Sequence, residues 1–166
     1  TEAKKKLNIK TDLKDKFIIS FGATSAYSEK RKGFNYVYKA IQKLNKEFNN
    51  IHFIVFGEIS KKLDSIENIT NYSEIYDENN LRNIYNVSDV FLSPSLQDNL
   101  PLTVMESLSC GTPVIAFDVG GMKDLIFHKK NGYLALQNNF DDFYKGIKFF
   151  LKINLKKKIN YLDFME

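Results

Sequence analysis

Two carboxylates, Asp98 and Glu106, stand on either side of seven residues in the run Ser93-Pro94-Ser95-Leu96-Gln97-Asp98-Asn99-Leu100-Pro101-Leu102-Thr103-Val104-Met105-Glu106. The first falls in a loop that follows a short apolar run, the second about two turns into a helix that Pro101 can open, because a proline's missing N–H is unpaired in a first turn anyway. Between them the helix N-terminus offers unpaired N–H groups and the positive end of the helix dipole, a setting that attracts phosphate. A phosphate flanked by two carboxylates makes chemical sense when both carboxylates accept hydrogen bonds from sugar hydroxyls, one from a ribose and the other from a hexose. On spacing alone the plainer reading is the stronger: a loop aspartate near a cap, and a solvated glutamate off the Val104/Leu108 stripe.

A second cluster, Lys30-Arg31-Lys32-Gly33, precedes a helical pattern. Read plainly it is a solvated basic turn. Positive charge ahead of a helix opposes the dipole, however, and an anionic ligand would offset that cost. The remaining chemistry-bearing residues suggest less. The histidines, His52 and His128, are far apart, and the one cysteine, Cys110, reads as a small buried residue near a helix end. A Cys/His metal cluster cannot be assembled from sequence neighbours, and an internal disulfide needs a second cysteine, so a reducing compartment is expected.

The elements that must position these residues alternate. Phe17–Phe21, ended by Gly22, His52–Phe56, ended by Gly57, Ile69–Tyr72, Asp89–Ser93, Pro113–Phe117 and Tyr133–Ala135 read as strands, most of them continuously apolar. Between them, Phe34, Val37, Tyr38, Ile41, Leu44 and Phe48 recur at helical spacing, and Asp77 reads as the N-cap of a helix carrying Leu81, Ile84 and Tyr85 inward. A helix from Pro101 stops at Gly111, a short one follows Gly120-Gly121, and the chain from Phe140 onward reads as helical. Continuously apolar strands alternating with helices predict an α/β fold, a Rossmann-like doubly wound parallel-sheet sandwich. In such a sheet ligands bind beyond the carboxyl ends of the strands, which singles out the loops after Phe21, Phe56, Ser93 and Phe117. Residues 1–16 read as a linker or lead-in and residues 17–166 as one domain; the start at Thr1 suggests a fragment.

The blocks Ser93-Pro94-Ser95, Asp98 to Glu106, Ser109-Cys110-Gly111-Thr112-Pro113-Val114-Ile115-Ala116, Asp118-Val119-Gly120-Gly121 and Asn131-Gly132-Tyr133-Leu134 follow in order. Together they resemble the C-terminal domain of the GT-B glycosyltransferases of family 4, glycosyl transferases group 1. That family carries a Glu-x7-Glu pair; here Asp98 replaces the first glutamate, one methylene shorter. Its first loop carries Gly-Arg and then Lys-Gly; here Ala23 stands where the arginine is usual, with Arg31 or Lys30 as substitutes, and Lys32 matches the lysine.

The resemblance implies a nucleotide-diphosphate-sugar-binding domain of a retaining transferase, acting on a glycan or lipid-linked acceptor in surface polysaccharide synthesis. It implies Lys32, Asp98 and Glu106 as the catalytic set. Lys32, Arg31 and the amides around Asn99, Leu100, Leu102 and Thr103 would hold the diphosphate, Asp98 the transferred sugar and Glu106 the ribose. Ile75 and Tyr76 would meet the base. No cofactor or metal is implied beyond the donor itself. The partner implied is a separate N-terminal acceptor domain of the same polypeptide, without which these residues would bind donor but not transfer. A stand-alone Rossmann-like nucleotide-binding or regulatory module is the alternative.

Net charge is +4, from 24 basic and 20 acidic residues. Frequent Lys, Asn and Ile and the lack of an RNP-like motif argue against a nucleic-acid partner. No stretch approaches the ~20 apolar residues of a membrane span. A cytoplasmic placement is expected, with peripheral contact at the inner face of the membrane left open by the run Lys156-Lys157-Lys158, which otherwise reads as a solvated helix face.

Overall fold

The structure is a computed structural model that describes residues 13, 15–23, 29–57, 63–72, 75 and 77–153. Its centre is a six-stranded sheet in the order β3-β2-β1-β4-β5-β6, parallel throughout. The strands are β1 (Phe17–Ala23), β2 (Ile51–Gly57), β3 (Ile69–Tyr72), β4 (Val90–Ser93), β5 (Val114–Phe117) and β6 (Gly132–Ala135). The helices are α1 (Phe34–Glu47), α2 (Glu78–Val87), α3 (Leu102–Ser109), α4 (Met122–Leu125) and α5 (Phe140–Ile153), with a 3-10 turn at Lys30–Lys32.

Every residue of β2, β4 and β5 is buried, which explains why these strands read as continuous rather than alternating apolar runs. The covering helices lie on both faces. On one, Tyr36 of α1 sits edge-on to Phe117 at 4.8 Å, and Phe117 meets Phe143 of α5 at 5.1 Å. On the other, Tyr85 of α2 meets Phe91 of β4 edge-on at 5.4 Å, and α3 packs beside α2. Of the residues at helical spacing, Phe34, Val37, Ile41 and Leu44 are buried, joined by Ala40, while Tyr38 and Phe48 are only half-buried.

Local signals set most boundaries. Asp77 caps α2 by accepting from the Asn79 amide at 3.0 Å. Gly111, at φ 70°, closes α3: its N–H bonds the Leu108 carbonyl at 2.8 Å, and the Thr112 N–H reaches the Ser107 carbonyl at 2.9 Å. These are the paired bonds of a Schellman ending.

Some edges differ by a residue from the sequence reading. Pro101 is the N-cap of α3, extended at ψ 125°, so the helix proper begins at Leu102 and ends at Ser109. Strand β4 begins at Val90; just before it the Asp89 carboxylate accepts the Ile18 amide at 2.7 Å and the Asp89 N–H bonds the Ile18 carbonyl at 2.8 Å, tying the two central strands at their entry. Strand β5 starts at Val114, after Pro113. Cys110 is half-buried rather than buried.

The chain builds β1, β2 and β3 outward in one direction, then returns through α2 to place β4 against the other side of β1. The crevice between β1 and β4 is therefore the point where strand order reverses, the expected place for a ligand. Leu13, in the stretch read as a lead-in, is buried against the core; residues 1–12 and 154–166, with the basic run, lie outside the described residues.

Candidate functional site

Three glycines let three loops approach one another at the carboxyl end of β1 and β4. Gly33 follows the Lys30–Lys32 turn in the left-handed region, φ 73°, and a Cβ there would run into the Pro94 carbonyl oxygen. The Leu96 N–H then bonds the Arg31 carbonyl at 2.7 Å, so the basic turn and the loop after β4 are fastened at two points. From the other side, Gly120 and Gly121 crowd against the carbonyls of Asp98 and Asn99, leaving no room for side chains, and the Gly121 N–H bonds the Asn99 carbonyl at 2.8 Å. The two glycines thus permit one backbone to come directly against another.

This bracing brings Lys32 and Asp98 together. The Lys32 ammonium lies 3.0 Å from Asp98 Oδ2, with the two side chains only 19% and 14% exposed. Sequence marked both residues but gave no sign that they pair. Seclusion from water strengthens the attraction and also makes it costly to leave either charge alone. Lys32 is thus held beside the loop that leads into α3. Arg31 turns the other way, its guanidinium paired with Glu29 and half exposed.

At the start of α3 the amides of Leu102 and Thr103 have no carbonyl within the helix to bond, the normal state of a first turn. The side chains of Leu100 and Leu102 are exposed, so only their backbone can serve an anion. A turn further on, Glu106 accepts a hydrogen bond from the Tyr85 hydroxyl at 3.0 Å. The solvated-glutamate reading is therefore incomplete: one oxygen is engaged by a buried phenol. Tyr85 itself is buried, and its ionisation is pushed far up, by desolvation first and then by the Glu106 charge. Thr112, also buried, donates its hydroxyl to the Tyr85 carbonyl at 2.6 Å.

Between α2 and α3 runs a groove of about 410 Å3, flanked by Leu81, Arg82, Tyr85, Leu102, Met105 and Glu106. Lys32 and Asp98 do not line it; they lie with the loop before α3. The two carboxylates thus face different surroundings, with the α3 N-terminus between them. Ile75 is half-buried against the core, and Tyr76 lies outside the described residues. Tyr85 is the residue whose part sequence reasoning missed. Its inward position was legible from helical spacing, but Glu106 is 21 residues away and nothing local announces the bond.

With this geometry in place, comparison with known proteins defines the class. Residues 2–162 match the family described as Glycosyl transferases group 1. The chain belongs to that family. An uncharacterized glycosyltransferase of Haemophilus influenzae is 32% identical over 143 residues, 81% of this chain and 39% of that protein, so the chain spans about two fifths of that relative. A UDP-Gal:alpha-D-GlcNAc-diphosphoundecaprenol alpha-1,3-galactosyltransferase of Escherichia coli is 35% identical over 69 residues, 42% of this chain and 18% of that one. Among solved structures, the C-terminal domain of a glycosyl transferase group 1 family protein from Francisella tularensis superposes with a TM-score of 0.72 at 21% identity, over 89% of this chain and 83% of that one. Sucrose-phosphate synthase from Thermosynechococcus elongatus gives 0.74 at 20%, over 91% of this chain and 39% of that one. The fold is the Rossmann-like half of a GT-B glycosyltransferase. Among the described residues, no helix is long and apolar enough to cross a membrane.

Proposed function

We propose that this chain binds the nucleoside diphosphate sugar of a retaining, family 4 glycosyltransferase and holds it for transfer to a glycan or lipid-linked acceptor, in surface polysaccharide synthesis. The observation that carries the reading is the sheltered Lys32–Asp98 pair at the strand-order reversal, beside the N-terminus of α3. A cation and a helix N-terminus suit a diphosphate; a carboxylate next to them suits the hydroxyls of the sugar it carries.

In this reading Lys32 and the backbone amides of Asn99, Leu100, Leu102 and Thr103 take the diphosphate, with Arg31 able to swing in from the surface. Asp98 accepts from the transferred sugar, Glu106 from the ribose, and Ile75 and Tyr76 meet the base. During transfer the bond from the anomeric carbon to the phosphate oxygen breaks, and its electron pair leaves with the diphosphate. The acceptor oxygen bonds that carbon and gives up its proton to the departing diphosphate. Lys32 and the α3 amides stabilise the negative charge that grows on the leaving group, the place where positive groups accelerate such a step. An acceptor-binding domain of the same polypeptide, closing over the carboxyl end of the sheet, completes the site, and these residues alone bind donor without appreciable transfer.

A pneumococcal O-GlcNAc transferase whose structure was solved with UDP and GlcNAc, and an Anabaena protein solved with UDP, share the fold at TM-scores of 0.64 and 0.72, which makes UDP the first nucleotide to test. Titration calorimetry with UDP, GDP and ADP should find one that binds, and Lys32→Ala should weaken it roughly tenfold or more, the usual size of a charge-assisted contact. Unchanged affinity in Lys32→Ala would sink the assignment of the diphosphate to this turn.

A further inference from the structure

Glu106 lies half-buried on α3 at the wall of the groove, a place where a glutamate without a partner would sample several rotamers. Here one does not have that freedom, because the Tyr85 hydroxyl holds Oε2 at 3.0 Å from below. The phenol cannot easily move. Its ring is buried, edge-on to both Phe56 and Phe91 at 6.0 and 5.4 Å. Its backbone carbonyl is clamped by the buried Thr112 hydroxyl at 2.6 Å, which fastens α2 to the turn between α3 and β5. A tyrosine hydroxyl in such surroundings stays protonated, so its O–H remains available to donate to the carboxylate. Binding a vicinal diol asks for a carboxylate in one fixed plane, since the two hydroxyls must reach it together. A carboxylate pinned at one oxygen offers the other, and its remaining lone pairs, in one direction.

We infer that Tyr85 is a positioning residue: it fixes the Glu106 carboxylate for the ribose diol, and so makes the site select ribonucleotides over their 2′-deoxy analogues. This rests on the reading of Glu106 as the ribose acceptor and adds to it the buried residue on which that contact depends. Thr112 anchors the same arrangement one step further back, which gives the Gly111-Thr112-Pro113 block a purpose beyond ending a helix.

The test is a thermodynamic cycle on the full chain with UDP and 2′-deoxy-UDP, using wild type, Tyr85→Phe, Glu106→Ala and the double variant. Wild type should prefer UDP by roughly tenfold, the size of one hydrogen bond to a charged group. Tyr85→Phe should lose most of that preference while its affinity for 2′-deoxy-UDP changes little. In the Glu106→Ala background, Tyr85→Phe should have almost no further effect, since a residue acting through another loses its influence when that partner is gone. Equal losses for both nucleotides, or losses that add in the double variant, overturn the proposal and leave Tyr85 a packing residue. So does a Tyr85→Phe chain that no longer melts cooperatively. If wild type binds UDP, with Lys32→Ala weakening it, yet Glu106→Ala leaves the preference intact, the ribose assignment fails while the diphosphate reading stands. If wild type binds none of UDP, GDP and ADP, the donor reading itself falls.

Discussion

At the scale of residues, the candidate site was legible as a set of chemical types and illegible as a set of contacts. Lys32, Asp98 and Glu106 stand out because charged groups collect around a helix N-terminus, which sequence can show. That Lys32 meets Asp98 depends on two loops 66 residues apart, whose distance is set by the pairing of β1 with β4. Tyr85 escaped for the same reason, since a residue on an inward stripe normally signifies packing alone. Glycine is the exception among long-range contacts, because its absent side chain is visible in sequence even when the neighbour it accommodates is not. Gly33 carries both demands: a left-handed φ of 73°, and a Cβ position occupied by the Pro94 carbonyl. Gly33→Ala should cost about 1–2 kcal/mol for the backbone conformation alone. The clash adds to that and should push the Lys30–Lys32 turn off the loop after β4. The expected outcome is a lower melting temperature together with weaker nucleotide binding, read by thermal denaturation with and without UDP. A Gly33→Ala chain that melts lower but binds as wild type would show that Lys32 does not depend on this close approach.

At the scale of elements the sequence was more forthcoming, because caps and stripes are local. The α2 start at Asp77 and the α3 stop at Gly111 were both readable, and each is realised by the bond its residue type supplies. The one-residue differences fall at junctions: Asp89 offers its carboxylate to the Ile18 amide of β1 just before β4, and Pro101 stands extended as the N-cap of α3. The 3-10 turn at Lys30–Lys32 gave no apolar signal at all, so it read only as charge. The α2 cap offers a measurable case. Asp77→Ala should destabilise by about 1 kcal/mol, whereas Asp77→Asn, which keeps the acceptor, should cost much less. Urea denaturation of the pair separates the cap bond from the attraction of a negative charge to the helix dipole. Equal losses in both variants would assign the effect to charge.

At the scale of the whole molecule, the doubly wound class followed from continuous strands and alternating helices, while the strand order did not, because nothing in a strand's composition names its neighbour. Connection rules narrow the choice, since parallel crossovers are right-handed and sequential strands tend to be adjacent. Where the order reverses was settled only by the structure. Burial also creates a property that belongs to the fold as a whole. His52 lies within β2, buried, with Nε2 2.8 Å from Thr70 Oγ1 on β3 and Nδ1 without a partner among the described residues. Desolvation first, and the nearby Lys16 charge second, push its pKa from 6.5 down to about 4. The folded chain thus holds the imidazole neutral across a range where the unfolded chain protonates it. The unfolded state binds the extra proton, so stability is full above the unfolded pKa and drains away as pH falls through 6.5 toward about 4. The loss from this group should be on the order of 2 kcal/mol by pH ~4, less than the entire shift would give. Denaturant melts between pH 7.5 and ~4.5 should show a steeper decline for wild type than for His52→Gln, which can still bond Thr70 but does not titrate. Parallel declines would mean that the acid sensitivity of the fold comes from its carboxylates, and that His52 is neutral at little cost to the chain.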